Sequence, residues 1–216
     1  MERTQERGAA EAPQTSNVSV QGIPGYADAS PTLTLIFATL CFCFWANTMG
    51  LLGEGATLAL GVLQTAVFVG YTVGGVLLLA RGNGVGGNVF MVFGAFFGAA
   101  GGFTHVGMTI AAELGVPFDY QVLGIVFIVG GAFLLACLPG MLTAAKTDFF
   151  SFLTGGLGVL FYGLTGAEVL PASWNNFAAW CLFVDGLIGF YAVTSTMLSF
   201  SGIKLSCGKP FVQPKA

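Results

Sequence analysis

Two ionisable side chains interrupt otherwise uncharged apolar stretches: Asp185 and the single histidine, His105. An acid at the centre of a membrane helix costs about 2.5 to 3.5 kcal/mol on insertion scales, so it faces a bundle interior or a wet cavity. Imidazole titrates nearest to physiological pH, which makes His105 the matching candidate. His105 lies eight residues from Glu113 and Asp185 eleven from Trp174, or about 12 and 16 Å along a helix. The two could therefore lie at similar depth. They are candidates for proton coupling, as a pair or separately, and a satisfied packing contact is the alternative for each.

Other chemistry is sparse. The chain has no G-x-S-x-G, H-E-x-x-H, phosphate-loop or C-x-x-C arrangement, so the residues give no catalytic site, no metal site and no cofactor. Cys41 and Cys43 are two apart and point in different directions on a helix, as small packing residues rather than a ligand pair. No apolar span carries Lys or Arg away from its ends. An anionic solute would have to rely on hydroxyls, amides, backbone N–H groups and helix N-termini, or cross as the neutral acid. Asn47, Thr48, Gln64, Tyr71 and Thr72 are the polar candidates on the first two spans, with interhelical hydrogen bonding as their alternative role.

The elements that must position these groups follow from composition. Of 216 residues, 55% are hydrophobic and 8% charged, against about a quarter charged in soluble domains. Apolar runs of about 20 residues match the thickness of a bilayer's hydrocarbon core. They predict an all-α membrane protein with six transmembrane helices at 33–52, 57–80, 88–112, 120–145, 149–170 and 174–200. Residues 1–30 read as a flexible tail, 31–203 as the membrane domain and 204–216 as a second tail. Gly94, Gly98 and Gly102, at intervals of four, form a stripe where another backbone can approach, in the same protomer or a neighbour. Pro139 is expected to kink the fourth span, and Asp148 to cap or favour the N-terminus of the fifth. Trp174 and Trp180 suit an interfacial belt.

Arg81, Lys146, Lys204, Lys209 and Lys215 fall in alternate turns and the C-terminal tail, whereas Glu54, Glu113, Asp119 and Glu168 occupy the others. The positive-inside rule then places both termini in the cytoplasm, as an even number of spans requires. A net charge of −3 with scattered basic residues argues against a nucleic-acid partner.

The stretch 81–97, RGNGVGGNVFMVFGAFF, resembles the signature of the acetate uptake transporter family, the acetate and succinate permeases of bacteria and fungi. Phe93 stands where that family has tyrosine and Phe97 where it has tryptophan. The Gly74 and Gly75 pair, the run NNFAAW from Asn175, Tyr191 and the closing KLSCGKP from Lys204 extend the likeness in order along the chain. The family's N-P-x-P-x-G-L motif is reduced here to Ala29, Ser30, Pro31, Thr32, Leu33, Thr34 and Leu35, which weakens the case for acetate in particular more than the case for transport. Asp185 stands where the family more commonly has a small or weakly polar residue.

The resemblance implies a six-helix protomer with its own pore in a homohexamer of the plasma or inner membrane. It implies acetate, succinate or a similar short carboxylate as substrate, with proton symport. It also implies a constriction built from helices one, three and five, at Phe37 or Ala38, at Phe93, and near Leu153 to Gly155. Asn47 and Tyr71 join these as pathway candidates on their own chemistry. Two other readings stay open: a channel for a small neutral solute such as ammonia, urea or a protonated acid, and a non-transporting membrane sensor.

Overall fold

The structure is a computed structural model that describes residues 28–213; the predicted flexible tail lies almost entirely outside them. Among the described residues, six helices are long and apolar enough to cross a membrane. They are α1 Ser30–Thr48, α2 Ala56–Ala80, α3 Gly84–Leu114, α4 Gln121–Met141, α5 Lys146–Gly166 and α6 Asn175–Ser199. A single 3-10 turn, Ala172–Trp174, leads into α6.

Helix ends follow the local chemistry. Pro31 sits in the first turn of α1, where its missing N–H costs nothing, so α1 begins before the predicted residue 33. The connection left between the predicted second and third spans, 81–87, is shorter than expected. Asn83 accepts a hydrogen bond from the Gly86 backbone N–H at 2.8 Å, an N-cap that lets α3 begin inside the glycines. At its other end, Gly115 takes a left-handed φ of 64°, the usual helix stop. Pro139 stays inside α4, two residues before its end. Asp148 lies in the first turn of α5 but makes no capping hydrogen bond there; Ala145 is the N-cap.

Glycines bring the helices into contact. The stripe on α3 packs against α2 of the same chain: a Cβ on Gly98 would meet the Phe68 backbone at 2.8 Å, and one on Gly102 would meet the Thr65 backbone at 2.6 Å. Gly124 and Gly131 of α4 lie against the α5 backbone, while Gly163 of α5 returns the approach at Ile128. Such contacts replace the hydrophobic drive that lipid removes. Between Gly94 and Ala100, α3 widens to a π-helix, which displaces the backbone hydrogen-bond register.

The C-terminal segment is docked rather than free. Tyr191 and Ser195 of α6 donate to the carbonyls of Ser206 and Leu205 at 2.9 and 3.1 Å. The Thr147 N–H donates to the Cys207 carbonyl at 3.1 Å, and the Val212 N–H to that of Leu142 at 3.0 Å. Phe211 packs on Phe149 with ring centroids 5.1 Å apart. The segment therefore spans the ends of α4, α5 and α6 on the side where α1 begins.

Candidate functional site

Three cavities follow one another through the bundle. The near cavity, about 410 Å³, lies at the end where α1 begins and α6 finishes; Ser30, Asn83, Asp148, Ser151 and Thr196 are among its lining. The far cavity, about 380 Å³, is lined by Asn47, Thr57, His105, Tyr120 and Thr165 among others. Between them lies a chamber of about 30 Å³ with a wholly apolar surface, room for a water or two. Phe37 and Phe93 line both the near cavity and this chamber. Phe127 and Tyr162 line both the chamber and the far cavity.

The separation is a ladder of rings. Phe37 stacks on Phe93 at 5.2 Å, Phe93 meets Phe97 edge-on at 4.9 Å, and Phe97 stacks on Phe127 at 5.1 Å. Phe44 closes the side against Tyr162 at 5.4 Å. Aromatic pairs at these separations add about 0.5 to 1.5 kcal/mol each beyond their burial, and an apolar constriction of this kind opposes ions by dewetting.

These positions sort the constriction candidates. Phe37, rather than Ala38, faces the neck; Ala38 instead packs toward Gly189, at 3.3 Å from where that residue's Cβ would lie. Phe93 is 3% exposed and sits at the neck's centre. Tyr71 also lines the chamber, fully buried, with a hydroxyl that has no hydrogen-bond partner. Asn47 lines the far cavity. Leu153 borders none of the three; α5 contributes Phe152 to the near cavity and Val159 to the chamber. The place where a Gly155 side chain would stand is taken by the Asp185 carboxylate. Phe44, Phe127 and Tyr162 escaped the sequence reading, because one ring among 21 phenylalanines and 5 tyrosines carries no local mark of lining a cavity.

The structure does not bring His105 and Asp185 together. Asp185 is fully buried, accepts a hydrogen bond from the Ser151 hydroxyl at 2.6 Å, and leaves Oδ2 without a partner. It borders no cavity itself and reaches the near one through Ser151, which lines it. His105 belongs to the opposite side. Its Nδ1 lies 2.6 Å from Gln64 Oε1, and Gln64 Nε2 donates to the Phe97 carbonyl at 2.7 Å. Similar counts from the helix ends do not make a pair: His105 lines the far cavity, whereas Asp185 lies against Ser151, which lines the near one.

Among the described residues no group of three His, Cys, Asp or Glu could hold a metal ion. Among the described residues, no Lys or Arg lines any of the three cavities.

Neither a family model nor a curated relative matches the sequence. Among solved structures, the chain is similar to the bacterial acetate channel SatP, with a TM-score of 0.67 over 82% of this chain and 95% of that one, at 21% identity. Six apolar helices around an aromatic neck, superposable over nearly the whole of that channel, give this chain the fold of the bacterial acetate channel.

Proposed function

We propose that this protein is a multi-pass passage in the cell membrane for acetate and related short carboxylates, succinate among them, which cross together with a proton. The observation that carries the reading is the pair of cavities at opposite ends of one bundle, joined through a dry aromatic neck. The likeness to an acetate channel supports the substrate class. The near end carries Arg81 and Lys146 at its helix boundaries and faces the cytoplasm by the positive-inside rule. A homohexamer, implied by the family resemblance, is the proposed assembly.

Of the two proton-handling candidates, the geometry favours His105, which faces a cavity, over Asp185, which reaches one only through Ser151. A passage for a small neutral solute is the second reading, supported by the absence of Lys or Arg along the three cavities among the described residues.

The test is labelled acetate flux into proteoliposomes, with and without an inward proton gradient. Uptake above that of protein-free vesicles and accelerated by the gradient is expected. Protein-dependent flux of urea or ammonia without acetate flux would shift the assignment to the neutral solute. Absence of all three would leave a non-transporting role.

A further inference from the structure

A relay of three groups sets the protonation pattern of His105. The Phe97 carbonyl, inside the π-helical section of α3, is taken by the Gln64 amide N–H at 2.7 Å. That contact fixes the amide's orientation, since a carbonyl only accepts. The other end of the amide, Oε1, is then an acceptor, and it lies 2.6 Å from His105 Nδ1. Nδ1 must carry the hydrogen. In neutral imidazole the second nitrogen, Nε2, is consequently bare and able only to accept.

Nε2 has no partner among the described residues, yet it is not sealed. The atoms both sealed and unpartnered belong to Trp45, Thr48, Tyr71 and Asp185. His105 is 8% exposed, and what it shows faces the far cavity. Gln64 is fully buried, and Gly61 and Gly101 leave the room that the imidazole and the amide occupy: a Cβ on Gly61 would meet His105 Cβ at 2.9 Å, and one on Gly101 would run into Gln64 Nε2.

The other titratable groups facing this cavity are Tyr120, just before α4, and Tyr162 of α5. From α1, α2 and α6 it receives Asn47, Thr57 and Asn175, which do not titrate, and no carboxylate or cation lines it. A carboxylate anion arriving here would set its lone pairs against the lone pair of Nε2. An undissociated acid would donate its O–H to that nitrogen.

We propose that the far cavity is a binding site for the undissociated form of a short carboxylic acid, with His105 Nε2 accepting the acid's hydroxyl hydrogen. The proposal deepens the transport reading and rests on it. Proton and carboxylate then enter as one neutral molecule, so co-transport of a proton needs no separate relay.

The chain's single histidine makes the test direct. In full-length protein labelled with 15N at imidazole and reconstituted in lipid nanodiscs, the expected spectrum shows a protonated Nδ1 and a bare Nε2. Acetate at pH 5 should move the Nε2 resonance toward the protonated range, beyond any shift given by equal chloride at pH 5. Equal acetate at pH 8 should leave it in place. A proton on Nε2 in the absence of acid, a shift that follows the anion at pH 8, or no acetate-specific shift at either pH would overturn the proposal. His105→Phe, which keeps a ring but no acceptor, should raise the half-saturating acid concentration for uptake roughly tenfold, the worth of one ordinary hydrogen bond. The spectrum is read on unaltered protein, so it decides the matter even if that variant misfolds. Acetate flux without these spectral changes would sink this inference and leave the transport reading standing, whereas absence of flux would remove both.

Discussion

Phe93 lies between the near cavity and the apolar chamber, with ring neighbours Phe37, Tyr71, Phe90 and Phe97. Replacing it by alanine removes the centre of the ring ladder and merges the chamber with the near cavity. Phe93→Ala should therefore raise acetate flux and admit longer acids, at a cost in stability of about 3 kcal/mol for the lost packing. Thermal unfolding and competition uptake with a series of acids check both halves. Phe93→Leu keeps apolar volume and should restrict flux nearly as well as the parent. Asp185 behaves differently because its carboxyl is removed from either cavity. Asp185→Asn can still accept from Ser151, so uptake and its pH dependence should persist. A loss of gradient-driven acceleration in that variant, with folding intact, would return Asp185 to the proton path.

At the scale of elements, α5 and α6 meet through a fitted pair: Gly155 has no side chain where the Asp185 carboxylate lies. Gly155→Ala should destabilise by about 2 kcal/mol through overpacking, and Asp185→Ala by a similar amount through the void and the unpaired Ser151 hydroxyl. In the double variant the new methyl moves into the vacated space. The two changes should then be less than additive, by at least about 1 kcal/mol in an unfolding cycle. This pairing was not legible in the sequence, since the two positions are 30 residues apart on different helices. The positions marked by family likeness do have structural roles. Gly74 and Gly75, singled out by family likeness, receive Leu33 and the Gly87 backbone from two different helices. In the NNFAAW run, Asn175 accepts from Thr165, and Ala178 and Ala179 are fully buried. Gly208 of KLSCGKP leaves room for the Lys146 side chain, which explains a glycine in a segment read as a tail. Local pattern could find six spans because span length and polarity are set by the bilayer. It could not tell Leu153 from Phe152 or Val159 as the neck's neighbour, because a rotation of α5 by one residue changes which one faces inward and leaves composition untouched.

For the molecule as a whole, the decisive property is the charge of what passes through the neck. Among the described residues, no Lys or Arg lines either larger cavity, and the chamber between them offers only apolar surface. An anion entering that chamber would leave its hydration shell and gain no counter-charge, at several kcal/mol even after relaxation. A neutral acid gives up only hydrogen bonds, each worth far less. Net movement should therefore carry no charge. Proteoliposomes holding a potassium gradient and valinomycin can be set to a potential of about 100 mV at equal pH on both sides, a bias of roughly 50-fold for a univalent anion. The protein-dependent uptake of acetate should be indifferent to that potential and should acidify the lumen, as a trapped pH dye would report. Glycolate is the more sensitive companion probe, because its undissociated form crosses bare lipid more slowly than that of acetate. Uptake that falls steeply when the lumen is made negative would instead show that the anion itself crosses. The ring ladder would then have to open into a hydrated path whose donors come from backbone N–H groups and hydroxyls such as Thr34 and Ser151 of the near cavity.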